Sequence, residues 1–151
     1  MSVPARLSIP APRRAADDCP SAVSTVRPTP PAGALSMLAQ ARNCLQDAER
    51  TARPGERYAA AYLAAARAAT AIVVVRSRQL GNARPASVWR LLDESAPEFS
   101  DWATFFAALS DRRAAAEAGI PGMSGADADD LLRRAVEFVD IVDRSLFGVQ
   151  R

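Results

Sequence analysis

The chain has no histidine and no lysine; all 19 basic residues among its 151 are arginine. Without histidine there is no Ser-His-Asp triad, no Cys-His pair and no imidazole metal ligand. Without lysine there is no Walker-type phosphate lysine and no Schiff-base chemistry. Any catalysis is left to arginine, carboxylates, tyrosine, serine, threonine or cysteine. Cysteine is scarce as well. Cys19 falls in a proline-rich stretch and Cys44 in an expected helix, a placement that makes neither a disulfide framework nor a metal site. Such usage fits a reduced, cytoplasmic setting. Aromatic residues make up only 6%. Alanine, the best helix former, dominates the apolar set, so the chain reads as all-α with thin side chains between closely packed helices. No signal-peptide h-region is visible near the N-terminus. The most apolar stretch, 58–75, carries Arg67 and is mostly alanine, which argues against a membrane span.

The net charge is +2, and its position matters more than its size. Residues 1–33 hold Arg6, Arg13, Arg14 and Arg27 against Asp17 and Asp18, which accounts for the whole excess. The remaining arginines and acids cancel. Affinity for nucleic acid comes largely from neutralised phosphates, and this neutral core lacks the broad basic excess of a non-specific binder, leaving only a local arginine patch.

Seven of the 11 prolines also fall in residues 1–33, a segment without hydrophobic periodicity, so a disordered N-terminal arm over 1–33 and a helical domain over 34–151 are expected. Beyond the arm, proline and glycine cut the chain into five segments free of either residue. The spacing predicts a five-helix up-down bundle: about 35–52, 56–79, 86–95, a helix from Ser100 to Gly119, and one from near Ser124. The first presents Leu38, Ala41, Leu45, Ala48 and Ala52 on one face. The second is apolar nearly all round, as a central helix should be. In the third, Val88, Leu91 and Leu92 point inward with Trp89 beside them. The fourth carries a stripe of Trp102, Phe105, Phe106 and Leu109. The last lines one face with Leu131, Ala135, Phe138, Val142 and Leu146.

Arg112 and Arg113 are the leading functional candidates. Seven residues is nearly two helical turns, so they continue the lines of Phe105 and Phe106. They read either as a pair of guanidiniums at a cleft edge, gripping phosphate or carboxylate, or as helix C-terminal arginines whose stems lie over the core. Arg133 and Arg134 form a second pair, with Arg133 set to meet Glu137 on a solvated face. Asp127, Asp129 and Asp130 suit the positive start of the last helix and lack the spacing of a calcium loop. Arg67, if buried, needs an acid such as Glu137 or Asp140, or a ligand.

Three segments together resemble an actinobacterial branch of the HEPN family: ERYAAAYLAAARAATAIVVVR (56–76), SVWRLLDESAPEFSDWATFFAALSDRRAAAEAG (87–119) and SGADADDLLRRAVEFVDIVDRSLF (124–147). The resemblance covers roughly residues 35–148. It implies a helical bundle of HEPN type, often homodimeric, in a family that includes metal-independent ribonucleases, toxin components, nucleotide binders and inactive relatives. Active members carry an arginine, four to six arbitrary residues, then a histidine late in a helix, brought together with the partner protomer's pair. Arg112 or Arg113 matches the arginine. From Arg112 the histidine position falls on Glu117, Ala118 or Gly119, and from Arg113 on Ala118, Gly119 or Ile120. None is histidine, and Glu117 is the one ionisable residue there, a carboxylate able in principle to act as a general base. The expectation is a cytoplasmic homodimer without cofactor or metal, non-catalytic or weakly active, in which Arg112 and Arg113 hold RNA or nucleotide phosphate. Any catalysis would fall to Arg112, Arg113 and Glu117. The alternative is a structural module that docks a protein partner.

Overall fold

The helices begin on the residues expected to separate them. In the computed structural model, which describes residues 29–76, 87–118 and 122–148, α1 spans Ala32–Arg50 with Gly33 in its first turn. Helix α2 spans Pro54–Arg76, and α6, at the end of the chain, spans Gly125–Phe147. A first-turn N–H has no intrahelical partner, so proline costs nothing there and glycine costs little. Most of the 1–33 stretch, with Cys19, lies outside the described residues, and so does Gly119.

A short turn joins α1 to α2 and sets them side by side as an αα-hairpin. The turn is held by the Thr51 hydroxyl donating to Glu56 (3.0 Å) and by Arg57 Nη2 donating to the Thr51 carbonyl (2.8 Å). Ala34, Leu38, Ala41 and Ala48 bury the inner face of α1, while Leu45 is half-buried. Ala52 lies beyond the helix and is exposed.

Helix α2 is the centre of the fold, packed against α1, α6, and two helices introduced next, α3 (Val88–Ser95) and α5 (Ser110–Glu117). By length and composition alone it could cross a membrane, but its buried alanines, among them Ala61, Ala65, Ala68 and Ala69, form contact surfaces for its neighbours. Small side chains let those helices approach closely.

The expected fourth helix is two helices. A single 3-10 turn, Pro97–Phe99, leads into α4 (Ser100–Ala107), and α5 follows after a break at Ala108 and Leu109. Six α-helices are therefore present among the described residues. At the break the Leu109 N–H donates to the Phe106 carbonyl at 3.0 Å, a tighter i to i−3 bond. No proline or glycine marks the spot, so the pattern carried no sign of it. Ser100 is the first residue of α4 and not its side-chain cap; its hydroxyl donates to Asp93. Serine caps do form at Ser87, which accepts from the Trp89 N–H at 3.1 Å, and at Ser124, which accepts from the Asp127 N–H at 3.0 Å. Helix α6 stops at Gly148, whose φ of 67° suits glycine and whose N–H closes onto the Arg144 carbonyl at 2.9 Å.

The core is aromatic where α2, α3, α4 and α6 meet. Trp89 stacks on Phe106 (4.9 Å between ring centroids, 18°), and Phe138 of α6 lies 5.4 Å from Phe106 and 5.3 Å from Trp102. Trp89 is thus a core residue of α3, whereas Val88 and Leu91 are only partly buried.

Candidate ligand-binding cleft

Arg112 and Arg113 both sit on tyrosines of α2. The Arg112 guanidinium lies 5.6 Å from the Tyr58 ring centroid, and that of Arg113 lies 5.3 Å from Tyr62. Tyr58 and Tyr62 are four residues apart and share a face of α2, so two adjacent arginines on α5 cover two successive turns. Tyr62 in turn meets Phe106 edge to face. Phe106 and Arg113, which helical spacing placed in line, stand on two different helices and both touch Tyr62.

The two arginines then part. Arg112 opens onto a cleft of about 360 Å³ between α2, α4, α5 and α6, and Arg113 is not among the residues lining it. Tyr58 is buried in one wall, with Phe105, Leu109 and Leu131 supplying apolar surface. Phe105 is 37% exposed, unusual for a residue so large. Arg134 lies over its ring at 5.6 Å, and Arg133 completes a set of three guanidiniums on the cleft.

Both carboxylates of the cleft are engaged. Asp127 Oδ2 accepts from Arg112 Nη2 at 2.8 Å, and Asp130 is paired with Arg133. The hydrogen bond from Arg112, followed by that from Ser124, holds the Asp127 carboxyl below the usual carboxylate range, and the same bond raises Arg112. Burial pushes the Tyr58 phenol up; Arg112 opposes this and Asp127 adds to it. The polar contacts of Arg112, to Asp127 and to Met123 Sδ at 3.9 Å, are both made by Nη2. Among the described residues its Nε and Nη1 have no hydrogen-bond partner.

The acids at the start of α6 do more than favour its dipole. Asp129 pairs with Arg57 of α2, so together with Asp127 it ties α6 to two other helices. No metal-holding group of three ligands occurs among the described residues. Arg133 takes Asp130 and not Glu137, which lies 3.8 Å from Arg134. Arg67 does not reach Glu137 or Asp140. It faces α1, where its charge opposes the upward push of burial on the Cys44 thiol, and its Nε is buried without a hydrogen-bond partner. Glu117 ends α5, and its side chain lies outside the described residues.

A family model described as SAV_6107-like HEPN matches residues 48–143, from the end of α1 to near the end of α6. The chain belongs to the HEPN family. No curated protein and no solved structure matches it. The matched span contains every residue of the cleft, so the site is built from the HEPN domain itself.

Arg133, Arg134 and Phe105 are cleft residues that spacing assigned to a solvated face or to the core stripe. One signal was present. Phe105 and Phe106 are adjacent and so point about 100° apart on a helix. Only one of them can face the core squarely.

Proposed function

We propose that this HEPN protein is a non-catalytic cytoplasmic binder of RNA or nucleotide phosphate, acting as a homodimer. The observation that carries the reading is the convergence of Arg112, Arg133 and Arg134 on one cleft beside the exposed Phe105 ring. Each guanidinium is held by one acid, Arg112 by Asp127, Arg133 by Asp130 and Arg134 more loosely by Glu137 at 3.8 Å, so an anion entering the cleft meets three clustered cations in exposed pairs that it can compete for. Guanidinium forks match phosphate oxygens, and an aromatic face accepts a stacked base. Arg113 supports the site by fixing α5 on Tyr62. The absence of any histidine supports the non-catalytic part, because the HEPN resemblance calls for one after the arginine.

The docking-module reading has less to rest on. Among the described residues the exposed large apolar ones are Phe105 and Phe147. Phe105 lies under Arg134, and Phe147 is thirteen residues further along α6, about 20 Å at 1.5 Å per residue. They do not make one patch.

The test is a fluorescence-anisotropy titration of a labelled oligouridylate with the full chain, in low and in physiological salt. Binding should be strong at low salt. Arg112→Ala and the double variant Arg133→Ala/Arg134→Ala should each weaken it about tenfold or more and flatten its salt dependence. Absence of binding at low salt overturns the nucleic-acid reading. Cleavage of the RNA by the wild-type chain, lost in Arg112→Ala, overturns the non-catalytic one. Equilibrium sedimentation checks the homodimer.

A further inference from the structure

The hydroxyl of Tyr58 is buried and has no hydrogen-bond partner among the described residues. The residue is 2% exposed yet lines the cleft. A buried phenol normally finds a partner, and one left without is a standing cost to the fold. Tyr62, one turn further along α2, shows the ordinary arrangement. Its hydroxyl accepts from Trp89 Nε1 at 2.7 Å and lies 3.2 Å from Ser110 Oγ. Around Tyr58 the protein supplies nothing equivalent. Arg112 lies over the ring, Asp127 receives the Arg112 guanidinium, and Phe105, Leu109 and Leu131 are apolar.

Resting on the reading of the cleft as a phosphate-binding site, we propose that Tyr58 is its specificity-determining residue, donating its hydroxyl hydrogen to an oxygen of the bound nucleotide. A phenol is protonated at neutral pH and burial only pushes it further that way, so the hydroxyl is a neutral donor. It discriminates because a ligand lacking an acceptor at that point leaves the hydroxyl as it stands, unsatisfied. Phosphoryl oxygens and base carbonyls share the required chemistry.

The test uses the full chain, with calorimetric titration of uridine 5′-monophosphate and thermal melts in parallel. Tyr58→Phe removes only an oxygen that bonds to nothing, so its melting temperature should equal or exceed that of wild type. Its affinity for the nucleotide should fall about tenfold, the loss of one well-placed hydrogen bond. Tyr62→Phe should instead melt lower than wild type, because its hydroxyl is bonded to Trp89 and lies against Ser110. Titrations with uridine and with ribose 5-phosphate then separate the two sources, because only the fragment that carries the acceptor is weakened by Tyr58→Phe. Equal nucleotide affinity in wild type and Tyr58→Phe, with Arg133→Ala/Arg134→Ala still weakened, overturns the role of Tyr58 and leaves the cleft standing. Failure of the wild type to bind the nucleotide overturns both.

Discussion

Tyr58 and Tyr62 are the same residue on the same face of one helix, both buried and both covered by an arginine of α5. Tyr62 belongs to the aromatic nucleus, with Trp89 and Phe106 against its ring and Trp89 and Ser110 at its hydroxyl. Tyr58 belongs to the cleft, with its ring packed and its hydroxyl unanswered. Burial alone therefore does not separate a structural residue from a functional one. What separates them is whether the neighbouring helices complete the polar group. At Tyr62, Trp89 of α3 and Ser110 of α5 do so; at Tyr58, on the cleft between α2, α4, α5 and α6, no described residue does.

The largest expected effect tests whether stability resides in the nucleus. Phe138 is fully buried and its ring meets those of Trp89, Phe99, Trp102 and Phe106. Phe138→Ala should cost about 3–5 kcal/mol in urea unfolding; a loss near zero would mean that the nucleus is not the core. Next is Tyr62→Phe, which leaves the buried Trp89 indole N–H without its acceptor and should cost about 1–3 kcal/mol. Tyr58→Phe measured beside it should cost nothing, and equal losses at both positions would erase the contrast between them. Ser124→Ala removes the cap of α6 at the edge of the cleft and should cost about 1 kcal/mol. Circular dichroism melts would show it as a modest shift.

The smallest effect is on acid stability. The Asp127 carboxyl is held down by Arg112 and that of Glu98 by Arg76. A carboxyl whose folded pKa lies below its unfolded value of about 4 adds stability that is present above that value. The gain is lost as pH falls through the folded pKa. Urea midpoints should therefore decline from about pH 5 downward, and Asp127→Asn and Glu98→Gln should each flatten that decline slightly. Both pairs are exposed, so added salt should shrink the effect.

Much of the fold was legible because it depends on local rules. Alanine content and apolar period are properties of short windows, and they located α1, α2, α3 and α6 to within a few residues. They also marked α2 as central, since a helix apolar on all sides has to be covered on all sides. The site was legible only in part. The seven-residue spacing singled out Arg112 and Arg113, but it assumed one continuous helix, and nothing local said that Arg112 would line a cleft and Arg113 would not. The break at Ala108 and Leu109 was hidden too, because a tightened hydrogen bond between helical residues leaves no proline or glycine behind.

By itself the sequence determined an all-α protein, its central helix and its lack of imidazole chemistry, because each follows from residue type or from period along one chain segment; the HEPN kinship rests instead on the likeness of three whole segments to that family. Only the tertiary structure decided which charges are paired across helices, which of two neighbouring phenylalanines reaches solvent, and which of two equivalent tyrosines keeps an unsatisfied hydroxyl. Those outcomes depend on how helices far apart in the chain meet, and a hydrogen bond is completed or left open by a neighbour that no local window contains.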